Sequence, residues 1–176
     1  MNVAYAELDC MTNFSFLEGA SHAKELSAVA KVLGLHAIGV ADRNSLAGVV
    51  RMLIARKATE MPFRVGCRLA FTDGTELIVY PRDRDAYGRL CRLLSKGKMN
   101  APKGECPLTF EQAAELGEGL IALAPALDTP VPELRERLAR WAAAWPDELY
   151  LAAAPLHRGD DRARLNALAV IAAELK

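Results

Sequence analysis

The stretch Glu7-Leu-Asp-Cys-Met-Thr-Asn-Phe-Ser-Phe-Leu-Glu-Gly-Ala-Ser21, with its counterpart Ala37-Ile-Gly-Val-Ala-Asp-Arg-Asn-Ser-Leu-Ala-Gly-Val-Val50, decides the fold. Each opens on a short apolar run, passes through a polar turn and gives way to apolar residues at 3.6-residue spacing, the pattern of a strand feeding a helix. The first strand is read over Val3 to Cys10. Ser21 stands where a helix cap belongs, Leu26, Val29, Ala30 and Leu33 share the expected inner face, and Gly34 supplies the positive φ on which helices often end. His36 to Ala41 is the second strand. Ser45 then opens a helix carrying Leu46, Val49, Val50, Leu53 and Ile54 inward, and Pro62 forbids its continuation.

Working outward, Phe63 to Phe71 and Thr75 to Tyr80 flank Thr72, Asp73 and Gly74, residues suited to a tight turn, and predict a β-hairpin. Asp83 to Lys96 follows as a helix with Tyr87, Leu90, Cys91 and Leu94 inside. Gly97 to Pro107 is the most loop-like segment, a surface excursion. Thr109 caps a short helix through Leu116, Leu120 to Ala124 is a strand, and Val131 to Trp145 is a helix with Leu134, Leu138, Trp141 and Trp145 inward. Leu149 to Ala153 is another strand, and Asp160 starts a last helix with Leu165, Leu168, Ala169 and Ala172 on one face. The alternation predicts an α/β fold with a mostly parallel sheet or barrel. A series that stops on a helix is expected to be a barrel cut short at its C-terminus, with residues 1–176 forming one partial domain.

The chain has 176 residues, 52% hydrophobic and 25% charged, the make-up of a globular domain and not of a disordered one. Lys plus Arg and Asp plus Glu are 22 each, so the basic excess of an autonomous nucleic-acid binder is missing. Apolar stretches such as Leu120 to Leu127 are too short to span a bilayer, and the start has no basic region ahead of an apolar core. A cytoplasmic protein without membrane contact is the expectation. Cys10, Cys67, Cys91 and Cys106 form no CxxC pair and read as buried or half-buried free thiols.

The two opening segments together resemble the start of the polymerase and histidinol phosphatase (PHP) domain, in the variant found in error-prone members of the bacterial C-family DNA polymerases. Pro62-Phe-Arg-Val-Gly-Cys-Arg68 is similar to that family's glycine-containing third strand. Arg84-Asp-Ala-Tyr-Gly-Arg-Leu-Cys-Arg-Leu-Leu-Ser95 resembles its next helix, and Lys103-Gly-Glu-Cys-Pro-Leu108 continues the likeness. The resemblance implies a distorted seven-stranded β/α barrel, longer than this chain, whose final metal-binding strand would follow Lys176. It also implies a polymerase palm further along the polypeptide, with the catalytic carboxylates and the magnesium of nucleotidyl transfer outside this segment.

Family PHP sites bind divalent metals, beginning with a His-x-His pair at the end of the first strand. The matching positions here are Asp9 and Met11; the carboxylate could still donate to an ion, but a thioether suits copper(I) better than zinc, manganese or magnesium. The family's next ligand, an Asp often followed by His, matches Asp42 followed by Arg43. Its bridging Glu matches Arg68, which keeps its proton and repels a cation. A unit charge about 4 Å from a divalent ion is unfavourable by roughly 8 kcal/mol at an effective dielectric near 20. These five positions therefore read as a vestigial metal site with no catalytic residue and no cofactor. Arg68 or Arg43 is expected between Asp9 and Asp42, in place of the ion, and the same two arginines could make the barrel mouth a pocket for a small anion.

Blander readings stand beside these. Asp9 also reads as a solvated strand end, Met11 as core filler, and Asp42 as a helix cap or as a turn closed with Asn44 and Ser45. His22 reads as a surface residue, His36 as a buried neutral one and His157 as a loop residue; nothing in their spacing brings them together. Ser15 shows no neighbouring base and reads as a turn hydroxyl. Lys96, Lys98 and Lys103 are candidate phosphate contacts, with a solvated charge run as the plainer alternative.

The function that follows from the resemblance is the N-terminal PHP domain of a damage-tolerant DNA polymerase, a nucleotidyltransferase serving replication, repair and translesion synthesis. The segment itself is expected to be an inactive structural and interaction module. Its partners would be the remainder of the polymerase chain, DNA through that chain, and other replication or translesion proteins. The alternative is a metal-dependent phosphoesterase or PHP-type exonuclease with an atypical site.

Overall fold

The computed structural model describes residues 4–99, 101–126 and 131–175. Its elements run β1 (Ala6–Cys10), α1 (Ala23–Val32), β2 (Ala37–Arg43), α2 (Gly48–Thr59), β3 (Phe63–Ala70), β4 (Glu76–Pro81), α3 (Arg84–Met99), α4 (Phe110–Glu115), β5 (Leu120–Pro125), α5 (Val131–Ala144), β6 (Leu149–Ala152) and α6 (Asp161–Glu174). The six strands lie in sequence order in one sheet that curls into a half-barrel. β1, β2 and β3 pair in parallel, β4 is antiparallel to both its neighbours, and β5 and β6 are again parallel. Val3, assigned to the first strand by its sequence, lies outside the described residues, as do Leu127 and Lys176.

Strand alternation gives the sheet two different faces. On the convex side, Cys67, Leu69, Leu77, Val79, Leu120 and Ala122 join Leu90, Leu93, Phe110, Leu134, Leu138, Trp141, Trp145, Leu168 and Ile171 in the main core. Phe110 holds it together, stacking on Trp141 at 6.4 Å and meeting Trp145 edge-on at 5.8 Å. On the concave side Tyr80 lies across β2 and β3, where a Cβ at Gly39 would come within 2.2 Å of its hydroxyl and one at Gly66 within 2.6 Å of its ring. The phenol donates to the Leu8 carbonyl at 2.5 Å and so ties β4 across to β1. Burial pushes its pKa up, which keeps the donated proton in place.

Several local expectations change in the folded chain. α1 begins after His22, with Glu25 reaching back to the His22 N–H at 2.8 Å, so Ser21 is not the cap. Ser45 closes a turn onto the Ala47 N–H instead of opening α2. Ala23, Ser27 and Ala30 are the buried residues of α1, and Gly48, Met52 and Ala55 those of α2, whereas Val29, Leu33, Val50, Leu53 and Ile54 face solvent. α3 continues through Met99 because Gly97, lacking a Cβ, lets Leu108 and Cys106 close over it. Along α3, Leu93 is buried and Tyr87 is exposed, and Ile171 takes the inward place on α6 assigned to Ala169. His36 is exposed, contrary to the buried role its sequence position suggested.

Candidate functional site

The C-terminal ends of β1, β2 and β3 meet at one rim of the half-barrel. Arg43 and Arg68 are register partners across β2 and β3, so two guanidinium groups leave the same face of adjacent strands. Left alone they would repel. The chain reversal between β3 and β4 brings Glu76 to this rim, opposite Ala70 in the antiparallel register, and its carboxylate takes one arginine on each oxygen. Oε1 accepts from Arg43, and Oε2 accepts from Arg68 at 2.7 Å. The second amino nitrogen of Arg68 bonds Asp9, and Arg43 also meets Glu18 at 3.2 Å.

Arg68 is 4% exposed, so its charge has left water. Burial works against that charge, but Asp9 and Glu76 outweigh it and hold the guanidinium pKa above its ordinary value. Its Nε is buried without a hydrogen-bond partner. A forked group with one donor on each of two carboxylates is a task for arginine; an ammonium cannot reproduce its geometry.

Asp42 sits apart from this network. It shares the helix-facing side of β2 with Ile38 and Val40, one residue out of phase with Arg43, so alternation turns it away from both arginines. Its carboxylate, 1% exposed, accepts from the Thr12 N–H at 2.7 Å, from the Thr12 hydroxyl at 2.9 Å and from the Ser15 hydroxyl at 2.8 Å. The expectation of an arginine joining Asp9 to Asp42 is thus corrected: Arg68 reaches Asp9 alone, and hydroxyl and amide donors serve Asp42. Gly48 leaves room for this arrangement, since a Cβ there would lie 2.2 Å from Asp42 Oδ2. Ser15 is a buried partner of Asp42 whose oxygen also accepts from the Arg43 N–H at 3.0 Å, a positioning role for the loop that carries it.

Met11 is half-buried just beyond β1. Among the described residues no group of three His, Cys, Asp or Glu side chains is placed to hold a metal ion. The donor set at the rim does not fit the family's divalent centre: Arg68 stands at the position of the bridging Glu and is bonded to Asp9, Met11 offers only a thioether, and Asp42 is turned to the other face of the sheet. Nor do Arg43 and Arg68 make an anion pocket, since Asp9, Glu18 and Glu76 already engage them.

A cleft of about 690 Å³ opens beside the rim, between Phe14, Asn44, Phe71 and the 101–107 segment, with Arg43, Lys98 and Lys103 on its walls. Asn44 shapes its floor by bonding the Ala70 backbone at both ends and the Cys106 carbonyl. Lys96 faces a separate depression with Cys91, Arg92 and Met99, so the three candidate lysines do not converge. All four cysteines are free. Burial pushes the Cys67 thiol up to about 12 and that of Cys10 to about 11, which suits neither as a thiolate ligand at neutral pH. Glu76, Glu18 and Thr12 went unmarked in the sequence, each being a common surface or turn residue with no motif around it.

Comparison with known proteins places this geometry. The chain is 46% identical over 175 residues to error-prone DNA polymerase 2 of Agrobacterium fabrum, covering 99% of the chain and 16% of that protein. It is 47% identical over 175 residues to the error-prone DNA polymerase of Allorhizobium ampelinum, covering 98% and 16%. The chain thus spans about one sixth of the length of these curated relatives. Among solved structures, a Bifidobacterium adolescentis protein assigned as a metal-dependent phosphoesterase superposes with a TM-score of 0.69 at 15% identity, covering 98% of this chain and 85% of that one. An amidohydrolase from Chromobacterium violaceum gives 0.68 at 14% identity, covering 92% and 81%. The PHP domain model matches residues 7–154, from the first strand of the rim to just past β6, and the chain belongs to the PHP domain family.

Proposed function

We propose that this chain is the PHP domain of an error-prone, damage-tolerant DNA polymerase, and that it serves that enzyme as a metal-free, non-catalytic structural module. The observation that carries the reading is Arg68, a buried guanidinium held by Asp9 and Glu76 where relatives of the fold would place a divalent ion. A fixed cation on the chain keeps the strand ends neutralised whatever the supply of metal, at the cost of any water-activating chemistry. Nucleotidyl transfer, with its magnesium, belongs to carboxylates elsewhere in the polymerase, and so does most of the DNA contact. Lys98 and Lys103, exposed on the cleft, are proposed to touch the phosphate backbone, and other replication or translesion proteins are proposed partners.

Elemental analysis of the purified chain, paired with a phosphoesterase assay in added manganese or zinc, tests the reading. Metal well below one equivalent and no metal-dependent turnover are expected. Stoichiometric zinc or manganese with hydrolysis would instead establish an atypical phosphoesterase or exonuclease.

A further inference from the structure

The helices covering β2 turn their large aliphatic side chains outward. Val29, Val32 and Leu33 recur at i, i+3 and i+4 on α1 and its C-cap, and Val50, Leu53 and Ile54 do the same on α2. All six are exposed, Val32 at 85%, Leu33 at 67% and Val50 at 64%. The two helices pack on one another, with Ser27 and Thr59 hydroxyls 2.6 Å apart between them. Scattered exposed aliphatics are ordinary, but these are two triads at helical spacing on the outer faces of adjoining helices, set toward opposite ends because Ser27 packs level with Thr59 and Ala23 with Ala55, and together they offer two apolar anchor points of the sort that dock a partner.

Charge says what kind of partner. Lys24, Lys31, Arg51, Arg56 and Lys57 are exposed on the same two helices, against Glu25 and Glu60. Among the described residues none of these five cations makes an ion pair, whereas the arginines of the rim and of α5 do. Two apolar triads flanked by unmatched positive charge are complementary to an amphipathic helix with leucine-like anchors and acidic flanks.

We infer that the outer face of α1 and α2 docks an acidic amphipathic helix from the body of the same polymerase polypeptide. This rests on the polymerase reading above, and the relatives, about six times as long as this chain, have ample polypeptide to supply it.

Two measurements decide it. In the first, a labelled helical peptide of roughly 18 residues, five turns long, with leucine on one face and glutamate on its flanks, is titrated with the chain. The acidic peptide is expected to bind at least about tenfold more tightly than its lysine-flanked twin, about 1.4 kcal/mol. A Val32→Glu, Leu53→Glu double variant should lose that binding with circular dichroism and Tm unchanged. Equal binding of both peptides, binding of neither, self-association of the chain through the patch, or equally variant-sensitive binding to phosphatidylglycerol vesicles would overturn the inference.

The second measurement joins the chain to the Agrobacterium fabrum polymerase in place of its matching segment. Hydrogen exchange in α1 and α2 should slow relative to the chain alone. A chimera that synthesises DNA without this protection sinks the inference but not the polymerase reading. One that is folded and protected yet cannot synthesise DNA counts against the polymerase reading instead.

Discussion

The two ends of the sheet are held by different materials. Over β3 to β6, helices α3 to α6 contribute leucines, a phenylalanine and two tryptophans to one large core. Over β1 and β2, α1 and α2 approach on Ala23, Ala30, Ala55, Gly48 and Ser27, with Met52 the one bulky side chain wholly inside. Hydrophobic spacing reads most of the first region, Tyr87, Leu93 and Ile171 apart, because there the largest apolar residues are mostly the buried ones. It misreads the second, where close helix packing selects small residues and leaves the aliphatics for the outer face.

The largest effect should come from breaking the bulky side. Trp141→Ala removes a side chain buried against Phe110 and Leu138, and its loss should cost about 3–5 kcal/mol in urea denaturation. A loss under about 1.5 kcal/mol would mean that this core yields as readily as the small-residue side, and the contrast would fail.

Next comes the rim, where charge replaces bulk. Truncating one partner of a buried ion pair costs about 3–5 kcal/mol. The Asp9 side chain is 40% exposed and that of Glu76 28%, so water can take up part of what Arg68 leaves. Arg68→Ala should therefore lose about 2 kcal/mol. Arg68→Lys should recover less than half of that, since an ammonium cannot fork between two carboxylates. Full recovery by lysine would show that charge alone, not geometry, matters at this position.

This rim marks how far the sequence could be read. The order of strands and helices was legible from periodicity, and the β3–β4 hairpin from Thr72-Asp73-Gly74. The meeting of Arg68 with Asp9 was legible because both follow from where parallel strands end. Glu76 was hidden, since only the reversal into β4 carries a strand's first residue to the rim. The donors on Asp42 were hidden too: they belong to a turn after β1, and one residue of phase on β2 separates this carboxylate from Arg43.

Gly48→Ala probes the small-residue side directly. One methyl there would sit 2.2 Å from Asp42 Oδ2 and 2.8 Å from Thr12 Oγ1, displacing a buried carboxylate from its donors. A loss of about 1–2 kcal/mol is expected by thermal or urea denaturation, in the range for overpacking. An unchanged Tm would mean that α2 can lift away from β2 without penalty.

Two thiols sharpen the comparison by pH. Cys67 lies in the bulky core with its pKa pushed up by burial to about 12. An unfolded thiol ionises near 8.5. Above that pH the unfolded chain gives up a proton that the folded chain keeps, so stability is full below about 8.5 and falls as pH rises toward 12. Cys67→Ala should flatten this decline by roughly 1 kcal/mol at about pH 9. Half-buried Cys10, raised to about 11, should show the same sign over a narrower window.

The smallest effect is the most telling for the α1–α2 face. Leu53→Ser replaces an aliphatic side chain that periodicity assigns to the core and the structure leaves 46% exposed. A buried leucine so changed would cost several kcal/mol, whereas a surface one should stay within about 0.5 kcal/mol. Near-neutrality in the isolated chain, measured by urea denaturation, would mean that the amphipathic pattern of α2 is addressed to something outside this domain. A loss above about 1.5 kcal/mol would mean that Leu53 packs within the chain after all, and that both regions of the molecule obey one rule.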